Sequence, residues 1–264
     1  MAQKIAIIGG GNLGTAIAQG LIKSDFSNPS DITITKRNIS TLKGDLPKTV
    51  KITDDNLKAV AANETILLAV KPFQIEGIMK TIAPALTKKH MLISVITGVT
   101  VSDLKEMAKA ELPVFRAMPN TAVAIQESMT CISYENATDK QVQFVTKMFN
   151  TVGKVCVIDD KLMDAATVLG ACGTAFALRY VRANIQGGIE IGFDAKTASL
   201  IAAQTVKGAA ELLLSNSSHP EQEIDKVTTP KGCTIVGLNE MEHRGFSSSL
   251  IRGVITSYKK IAKD

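Results

Sequence analysis

The sequence has few aromatic residues and few side chains that bind metals or form disulfides. It contains no Trp, and aromatic residues make up 4% of its 264 residues. The four cysteines are Cys131, Cys156, Cys172 and Cys233, which show neither Cys-x-x-Cys spacing nor a matching set of His ligands. This pattern argues against a metal site and against a disulfide-stapled secreted domain, and it predicts free thiols in a reducing cytosol.

Long apolar runs and dense basic patches are also missing. No apolar run reaches the roughly 18 residues that a membrane-spanning helix requires, and no signal-peptide cleavage pattern follows the apolar segment Ile5–Ile8. The net charge of +5 is modest and its Lys and Arg residues are scattered. We therefore expect a cytoplasmic protein that binds neither nucleic acid nor membrane, and whose charge suits an anionic cofactor or substrate.

Short apolar runs and segments with helical spacing alternate up to about residue 158. This alternation is typical of an α/β fold with a doubly wound, mostly parallel sheet of the Rossmann type. The predicted strands are Lys4–Ile8, Asp31–Thr35, Thr65–Val70, Met91–Val95, Val114–Met118, Thr130–Ser133 and Val155–Ile158. The predicted helices are Leu13–Ile22, Leu57–Ala62, Ile75–Ala83, Val101–Ala110 and Val142–Phe149, with Asp139 as the N-cap of the last one.

From Leu162 onward the pattern is almost entirely helical. The predicted helices are Asp164–Ile185, Ala195–Leu214, Ile235–Arg244 and Ser247–Ala262, with turn signals at Gly187-Gly188, Gly192, His219-Pro220 and Thr229-Pro230. Helices that are apolar around much of their circumference need burial on more than one side. We expect a Rossmann-type domain over residues 1–160 and an all-helical dimerisation domain over 161–264, with a self-contained helical bundle as the alternative.

A glycine-rich turn follows the first predicted strand. Gly9, Gly11 and Gly14 fit the pattern G-x-G-x-x-G, with a strand before them and a helix after them. Gly9 permits the tight turn, Gly11 lets the backbone approach a pyrophosphate, and Gly14 allows close helix–strand packing. The amides of Asn12 and Leu13, at the start of the helix, would face the phosphates. The turn predicts a dinucleotide site, with a purely structural glycine turn as the alternative.

The end of the second predicted strand is cationic. Lys36 and Arg37 stand where NAD-selective sites usually carry an Asp or Glu for the ribose 2′-hydroxyl. A cationic end suits a 2′-phosphate, held by a charge-assisted contact from Arg37. We therefore predict NADPH as the cofactor, with NADH as a second acceptable one. A solvated loop with two basic residues is the alternative.

Four stretches, in order along the chain, resemble the Δ1-pyrroline-5-carboxylate reductase family. They are the Gly9–Gly14 turn with Asn12, Ala69-Val70-Lys71-Pro72, Met118-Pro119-Asn120-Thr121, and His219-Pro220 followed by residues 227–234. The resemblance runs from Lys4 almost to the C-terminus. It implies NADPH-dependent hydride transfer to the C=N bond of pyrroline-5-carboxylate, which gives L-proline. It also implies a homodimer, or an oligomer of such dimers.

The match departs from the family pattern at two places. The chain has Thr229-Pro230-Lys231-Gly232-Cys233-Thr234 where the family usually shows Ser-Pro-Gly-Gly-Thr/Ala-Thr. It has Ala171-Cys172-Gly173-Thr174-Ala175 where the family shows Gly-Ser-Gly-Pro-Ala. Small residues are mostly retained, so close backbone approach is preserved. Lys231 is the anomaly, and it is either a solvated loop residue or an additional cation near a carboxylate.

The resemblance implies roles for particular residues. The implied cofactor-binding residues are Gly9, Gly11, Asn12, Leu13, Gly14, Arg37, Asn56, Ala69, Lys71 and Pro72, joined near the nicotinamide by Met118, Pro119 and Asn120. Thr229, Gly232 and Thr234 would bind the substrate carboxylate at a helix N-terminus, with Thr229 and Thr234 as the catalytic candidates. Simple N-capping of that helix by Thr229 and Thr234 is the alternative. We expect the site in a cleft between the two domains, beyond the C-terminal ends of the strands.

The histidines and the second-domain lysines bear on the chemistry. His90, His219 and His243 have no visible carboxylate partner, which suits a cyclic imine that becomes an electrophilic iminium without a strong acid from the protein. A related imine or 2-oxoacid reductase, such as a β-hydroxyacid- or ketopantoate-type dehydrogenase, would carry a catalytic Lys in a helix of the second domain. The stretch Asp164–Gln186 has Arg179 and Arg182 but no Lys. A non-catalytic NADPH-binding sensor or scaffold also stays open.

Overall fold

The chain forms an eight-stranded sheet followed by helices, in a computed structural model that describes residues 3–42 and 46–262. The strands are β1 (Ile5–Ile8), β2 (Ile32–Thr35), β3 (Lys51–Thr53), β4 (Thr65–Leu68), β5 (Met91–Ser94), β6 (Val114–Met118), β7 (Ser128–Glu135) and β8 (Gly153–Val157). Their order across the sheet is β3-β2-β1-β4-β5-β6-β7-β8.

The first six strands run parallel, and the chain order reverses at β1. Ile5 of β1 pairs with Ile32 of β2 on one side and with Thr65 of β4 on the other. The order 3-2-1-4-5-6 is that of a doubly wound dinucleotide-binding sheet, so the predicted Rossmann-type fold is confirmed. β7 runs antiparallel to β6, and β8 runs parallel to β7 as the outermost strand.

Both faces of the sheet are buried in apolar layers. Ile7 and Ile34 pack in one layer with Phe149, whereas Ile8 and Leu68 belong to the layer on the opposite face. Successive side chains of a strand point to opposite faces. A strand buried on both sides therefore favours apolar residues at successive positions, which explains the unbroken apolar run of β1.

The sequence pattern did not predict strand β3. It is only three residues long, and Lys51 and Ile52 are exposed at the edge of the sheet. It pairs with β2 through Thr33, Ile34 and Thr35. A short edge strand with one solvated side carries neither an apolar run nor a clear alternation, so the sequence pattern does not show it.

In the described residues, five α-helices lie between the strands. They are α1 (Asn12–Lys23), α2 (Asn56–Ala61), α3 (Ile75–Ile82), α4 (Val101–Ala108) and α5 (Asp139–Asn150). The prediction of Asp139 as the N-cap of α5 is wrong by one position, because Thr138 is the N-cap. The Thr138 hydroxyl accepts the N–H of Gln141 at 3.4 Å, and the Gln141 side chain accepts the N–H of Thr138 at 2.9 Å. This reciprocal pair is a capping box, which Asp139 cannot form.

The rest of the chain is helical, as predicted. It comprises α6 (Met163–Ala166), a π-helical turn (Thr167–Cys172), α7 (Gly173–Glu190), α8 (Ala195–Asn216), α9 (Pro220–Lys226), α10 (Cys233–His243) and α11 (Phe246–Ala262). The described chain divides into two compact units. One consists of the residues up to Cys172 with 261 and 262, and the other is Gly173–Lys260.

Two helical predictions need correction. Gly187-Gly188 is not a turn but lies inside α7. A Cβ added at Gly188 would lie 3.2 Å from the Cβ of Ala198, so the glycine serves the close approach of α8 to α7. The stretch predicted as one helix from Asp164 is interrupted by the π-helical turn. The turn signal at His219-Pro220 marks the start of helix α9, with Pro220 at its first position.

The described residues contain one helical stretch, Asp160–Glu190, that is long and apolar enough to cross a membrane by length and composition. The interior helix of a soluble protein meets the same criteria. Arg179 and Arg182 also lie in the middle of this stretch. It is therefore weak evidence for a membrane span.

Candidate active site

An open groove of about 1120 Å³ follows the carboxyl ends of the parallel strands. It lies where the strand order reverses between β1 and β4, the place where doubly wound sheets bind ligands. The groove brings together most of the predicted cofactor residues, which are Gly9, Gly11, Asn12, Leu13, Arg37, Asn56, Ala69, Lys71 and Pro72.

The turn after β1 requires glycine at position 9. Gly9 has a φ of +115°, and a Cβ built there would lie 2.5 Å from the carbonyl oxygen of Ala69. The N–H groups of Gly9 and Gly10 both donate to the carbonyl of Thr35, at 3.2 and 2.7 Å. The turn is therefore held against the ends of β2 and β4, and a side chain at position 9 would displace it.

Gly11 and Gly14 meet two different needs. Gly11 is the N-cap of α1 and supplies no side-chain cap; a Cβ there would meet no other part of the described chain within 4 Å. At Gly14 a Cβ would lie 2.2 Å from the carbonyl oxygen of Gly9, so this glycine permits the close packing of α1 on the turn. The uncapped first turn of α1 leaves N–H groups without intrahelical partners beside the groove. The residues present therefore fit the pyrophosphate of a dinucleotide.

The two cations after β2 differ in their surroundings. Lys36 donates from Nζ to the carbonyl oxygen of Thr41 at 2.6 Å. Arg37 is exposed and lines the groove, and its guanidinium forms no ion pair or hydrogen bond with a described residue. Arg37 is therefore the cation whose side chain remains available to an anionic ligand.

Asn56 stands at the first position of α2, behind an acidic N-cap. The carboxylate of Asp55 accepts the N–H of Lys58 at 3.0 Å, and this hydrogen bond is the main reason that the pKa of Asp55 is lowered. The carboxylate of Asp55 thus caps helix α2, whereas its neighbours Asp54 and Asn56 line the groove. Asp54 was not among the predicted site residues.

The loop after β4 forms the opposite rim. The Ala69 N–H donates to the Ile8 carbonyl at 2.8 Å, which continues the pairing of β4 with β1 beyond the strand. Lys71 is extended, with φ −71° and ψ 147°, and its N–H donates to the side chain of Gln74 at 3.2 Å. The following Pro72 favours this extended conformation of Lys71.

Met118, Pro119 and Asn120 lie behind the groove and do not line it. Met118 is buried, and its Sδ accepts a 3.9 Å hydrogen bond from Oγ1 of Thr97, which does line the groove. Asn120 engages both ends of its amide within the protein. Its Oδ1 accepts the N–H of Ala122 at 3.0 Å, and its Nδ2 donates to the carbonyl of Gly170 at 3.1 Å. This segment therefore supports the groove from behind.

Sequence reasoning missed the residues after β5. Val95, Ile96 and Thr97 line the groove beside the Ala69–Pro72 loop. They carry no recognisable motif. Their only signal is topological, because β5 pairs in parallel with β4 and its carboxyl end must reach the same edge of the sheet.

The predicted substrate residues lie in the helical unit, at the turn before α10. Gly232 is the N-cap of α10 and provides no side-chain cap, so the alternative of N-capping by Thr229 or Thr234 is wrong. The Gly232 N–H donates to the Thr229 carbonyl at 2.9 Å. A Cβ on Gly232 would lie 2.5 Å from Oγ1 of Thr229. Thr234 lies in the first helical turn, where the N–H groups have no intrahelical partner.

Lys231 occupies a backbone position that favours glycine. It follows Pro230 in the turn closed by Thr229 and Gly232, and its φ is +60°. A positive φ at the third residue, with Pro at the second, defines a type II turn. Lys231 keeps the turn that a glycine would form, and its side chain is exposed. Exposure favours the interpretation as a solvated loop residue.

Both parts of the chain are similar to known oxidoreductases. Residues 160–264 match the family model described as pyrroline-5-carboxylate reductase dimerisation, and residues 4–98 match the model described as NADP oxidoreductase coenzyme F420-dependent. Pyrroline-5-carboxylate reductase 1 of Dictyostelium discoideum is 43% identical over 98% of this chain, which spans 49% of that longer protein. Pyrroline-5-carboxylate reductase 2 of the same organism is 41% identical over 99% of this chain and 93% of its own length.

The chain belongs to the pyrroline-5-carboxylate reductase family. The resemblance inferred from the four sequence stretches is therefore confirmed. The structure of Plasmodium falciparum pyrroline carboxylate reductase with NADP bound has a TM-score of 0.90 to this family member, at 25% identity over 98% of this chain and 97% of that one. The agreement extends over the sheet and the helical region alike.

Proposed function

We propose that this protein reduces Δ1-pyrroline-5-carboxylate to L-proline, with NADPH as the preferred reductant. The observation that carries the proposal is the 41% identity to a named pyrroline-5-carboxylate reductase along nearly the whole of both chains. The glycine turn at the switch point of the sheet supports it, because its geometry fits a dinucleotide pyrophosphate.

The residues of the groove would bind and orient the cofactor, which supplies a hydride for the imine carbon when bound. The first turn of α1, beginning at Asn12, offers backbone N–H donors to the pyrophosphate. Arg37 offers a guanidinium to the 2′-phosphate, which NADH lacks. Ala69, Lys71 and Pro72 form the opposite rim. Met118, Pro119 and Asn120 hold the nicotinamide end of the groove in place from behind.

Thr229, Gly232 and Thr234 would bind the substrate. The uncapped N-terminus of the eleven-residue helix α10 offers N–H donors to the substrate carboxylate. Gly232 allows close approach because it carries no side chain. The hydroxyls of Thr229 and Thr234 are the catalytic candidates, placed to hold a proton at the ring nitrogen. A protonated cyclic imine is strongly electrophilic, so the protein needs no stronger acid.

We also propose that the protein acts as a cytoplasmic homodimer. The match of residues 160–264 to a dimerisation family supports the dimer, and so does the apolar surface of the helical unit. Leu178, Leu200 and Ile201 are 63%, 71% and 47% exposed in the single chain. A second, smaller hollow of about 500 Å³ lies between α7 and α8 and is lined by small and apolar residues such as Gly187 and Ala202. A partner helix would bury these surfaces.

The decisive experiment follows NADPH absorbance in the presence of pyrroline-5-carboxylate. We expect the absorbance to fall with L-proline formed in equal amount. Cofactor binding without turnover would identify an NADPH-binding sensor. Turnover of a 2-oxoacid in preference to the cyclic imine would identify a related reductase.

A pair of threonine variants tests the substrate residues. We expect Thr234→Ala to raise the KM for pyrroline-5-carboxylate while the Kd for NADPH is unchanged. Thr228→Ala is the matched control, because the hydroxyl of Thr228 is bound to the Ile224 carbonyl at 2.7 Å within its own helix end. Equal KM changes in both variants would contradict the assignment.

A further inference from the structure

Two cysteines lie directly opposite each other on the last two strands of the sheet. Cys131 of β7 pairs in register with Cys156 of β8. Residues in register on neighbouring parallel strands point to the same face. The spacing of such strands, about 4.8 Å, falls inside the window of about 4.4–6.8 Å between Cα atoms that disulfides span. The spacing of the two strands is therefore compatible with a disulfide between these two residues.

The two thiols differ in their access to solvent. Cys156 is exposed and Cys131 is half-buried. β8 is the outermost strand on its side of the sheet, so a small solute can reach Cys156 from the edge. The thiol of Cys156 donates a long hydrogen bond of 3.9 Å to the carbonyl of the adjacent Val157.

We propose that Cys131 and Cys156 form a dithiol site that reacts with low-molecular-weight disulfides and closes to a Cys131–Cys156 disulfide. In the first step the Cys156 thiolate attacks one sulfur of the small disulfide, and the other sulfur leaves as a thiol after taking up a proton. In the second step the Cys131 thiolate attacks Sγ of Cys156 and releases the second small thiol. The two protein thiols are oxidised and one small disulfide is reduced to two thiols.

The surroundings of the two sulfurs fix this order. Burial raises the pKa of the Cys131 thiol, and the neighbouring Cys156 raises it further, so Cys131 is a poor first nucleophile at neutral pH. Once Cys156 is in a mixed disulfide it carries no thiolate charge, and it no longer raises the pKa of the Cys131 thiol. The exposed thiol therefore captures the reagent and the half-buried thiol resolves it.

The site is separate from the proposed reductase chemistry. Neither cysteine is among the described residues that line the groove. The disulfide would close the loop that contains α5 and would fasten the edge strand β8 to β7. The dithiol chemistry therefore does not depend on the proposed reductase function.

The experiment treats the full-length protein with oxidised glutathione, blocks the remaining thiols with iodoacetamide and maps the peptides by mass spectrometry without reduction. We expect a cross-linked peptide pair joining Cys131 to Cys156, which disappears on treatment with dithiothreitol. In Cys131→Ser the reaction should stop at a glutathione adduct on Cys156. In Cys156→Ser, Cys131 should be recovered mainly as the alkylated thiol.

Wild-type protein that retains a stable glutathione adduct on Cys156, with no link to Cys131, would overturn the proposal. So would recovery of both cysteines as alkylated thiols while Cys233, which is also exposed, forms the adduct. Circular dichroism of each serine variant checks that the fold is retained, and the wild-type measurement does not depend on either variant.

Discussion

At the scale of single residues, neighbouring side chains of the same charge have different roles. Lys36 and Arg37 are adjacent in the sequence, both are cationic and both line the groove. The ammonium group of Lys36 donates to the Thr41 carbonyl, whereas the guanidinium of Arg37 has no such bond to a described residue. The sequence identified a cationic strand end. Only the tertiary structure separates the cation that holds the loop from the cation that is available to a ligand.

This difference predicts the cofactor selectivity of two variants. Arg37→Ala should raise the KM for NADPH by about ten- to one-hundred-fold, because a charge-assisted hydrogen bond contributes about 1.5–3 kcal/mol. The KM for NADH should change little, since NADH has no 2′-phosphate. Lys36→Ala is the control and should affect both cofactors to a similar extent. Steady-state kinetics with each cofactor measures both effects; equal changes for Arg37→Ala would argue against the 2′-phosphate contact.

Lys231 allows a second prediction at this scale. A non-glycine residue with φ near +60° destabilises the folded state by about 1–2 kcal/mol. Glycine removes this strain, but its larger conformational freedom in the unfolded chain offsets part of the gain. Lys231→Gly should therefore raise the urea midpoint, by an amount that corresponds to roughly 0.5–1 kcal/mol. Lys147→Gly is the control. It lies exposed in α5, and there the same change should lower the midpoint. A fall in the midpoint for Lys231→Gly would show that the lysine side chain stabilises the turn.

At the scale of elements, helix ends are decided by hydrogen bonds that composition shows only in part. Thr138, Asp139 and Gln141 all suit the start of a helix. The reciprocal bonds between Thr138 and Gln141 place the N-cap one residue before the predicted position. In the same way, Gly232 and not a threonine is the N-cap of α10. The N–H groups of the first turn of α10 therefore donate no hydrogen bond to a capping side chain.

The α5 cap leads to a testable difference in stability. Thr138→Ala should lower the free energy of unfolding by about 1 kcal/mol, because it leaves an N–H group of the first turn without its partner. Asp139→Ala should cost only a few tenths of that amount, since Asp139 contributes mainly its charge near the helix N-terminus. Urea denaturation followed by circular dichroism compares the two. A larger effect for Asp139→Ala would contradict the assignment of the cap.

At the scale of the whole molecule, the two units bury their apolar residues to very different degrees. The sheet has two closed apolar layers, whereas the described helices of the second unit contain few buried residues, among them Ala198 and Ala202. A helical unit with this much exposed Leu and Ile requires a partner surface. The match to a dimerisation family supports the proposal that this partner is a second copy of the chain.

The dimer can be tested through α8. Leu200→Glu, at a position that is 71% exposed in the single chain, should dissociate the proposed dimer. It should also reduce the reductase activity severely, because the family resemblance implies that substrate groups can come from the partner subunit. Lys147→Glu on α5 is the control and should leave the dimer intact. Light scattering after size-exclusion chromatography gives the mass, and the NADPH assay gives the activity. A fully active monomer, obtained by this variant or by dilution, would contradict the shared site.

Most of the fold could be predicted from the sequence because its signals are local. A buried parallel strand needs a continuous apolar run, and a dinucleotide turn needs glycine at positions where a Cβ would strike neighbouring backbone, as at Gly9 and Gly14. The apolar runs and the glycine spacing that signal these requirements each lie within a few residues of the chain. They gave the Rossmann-type sheet, the glycine turn, the loop at Ala69–Pro72 and the helical second part.

Other features depend on which distant segments meet, and the tertiary structure alone decided them. The edge strand β3, the residues after β5 that complete the groove, and the pairing of Cys131 with Cys156 follow from strand order and register. The same holds for Gly187-Gly188, which resembles a turn in the sequence but lies inside α7, where Gly188 lets α8 approach. A sequence specifies local conformation through its own neighbours, whereas a contact across the sheet or between helices exists only once the chain has folded.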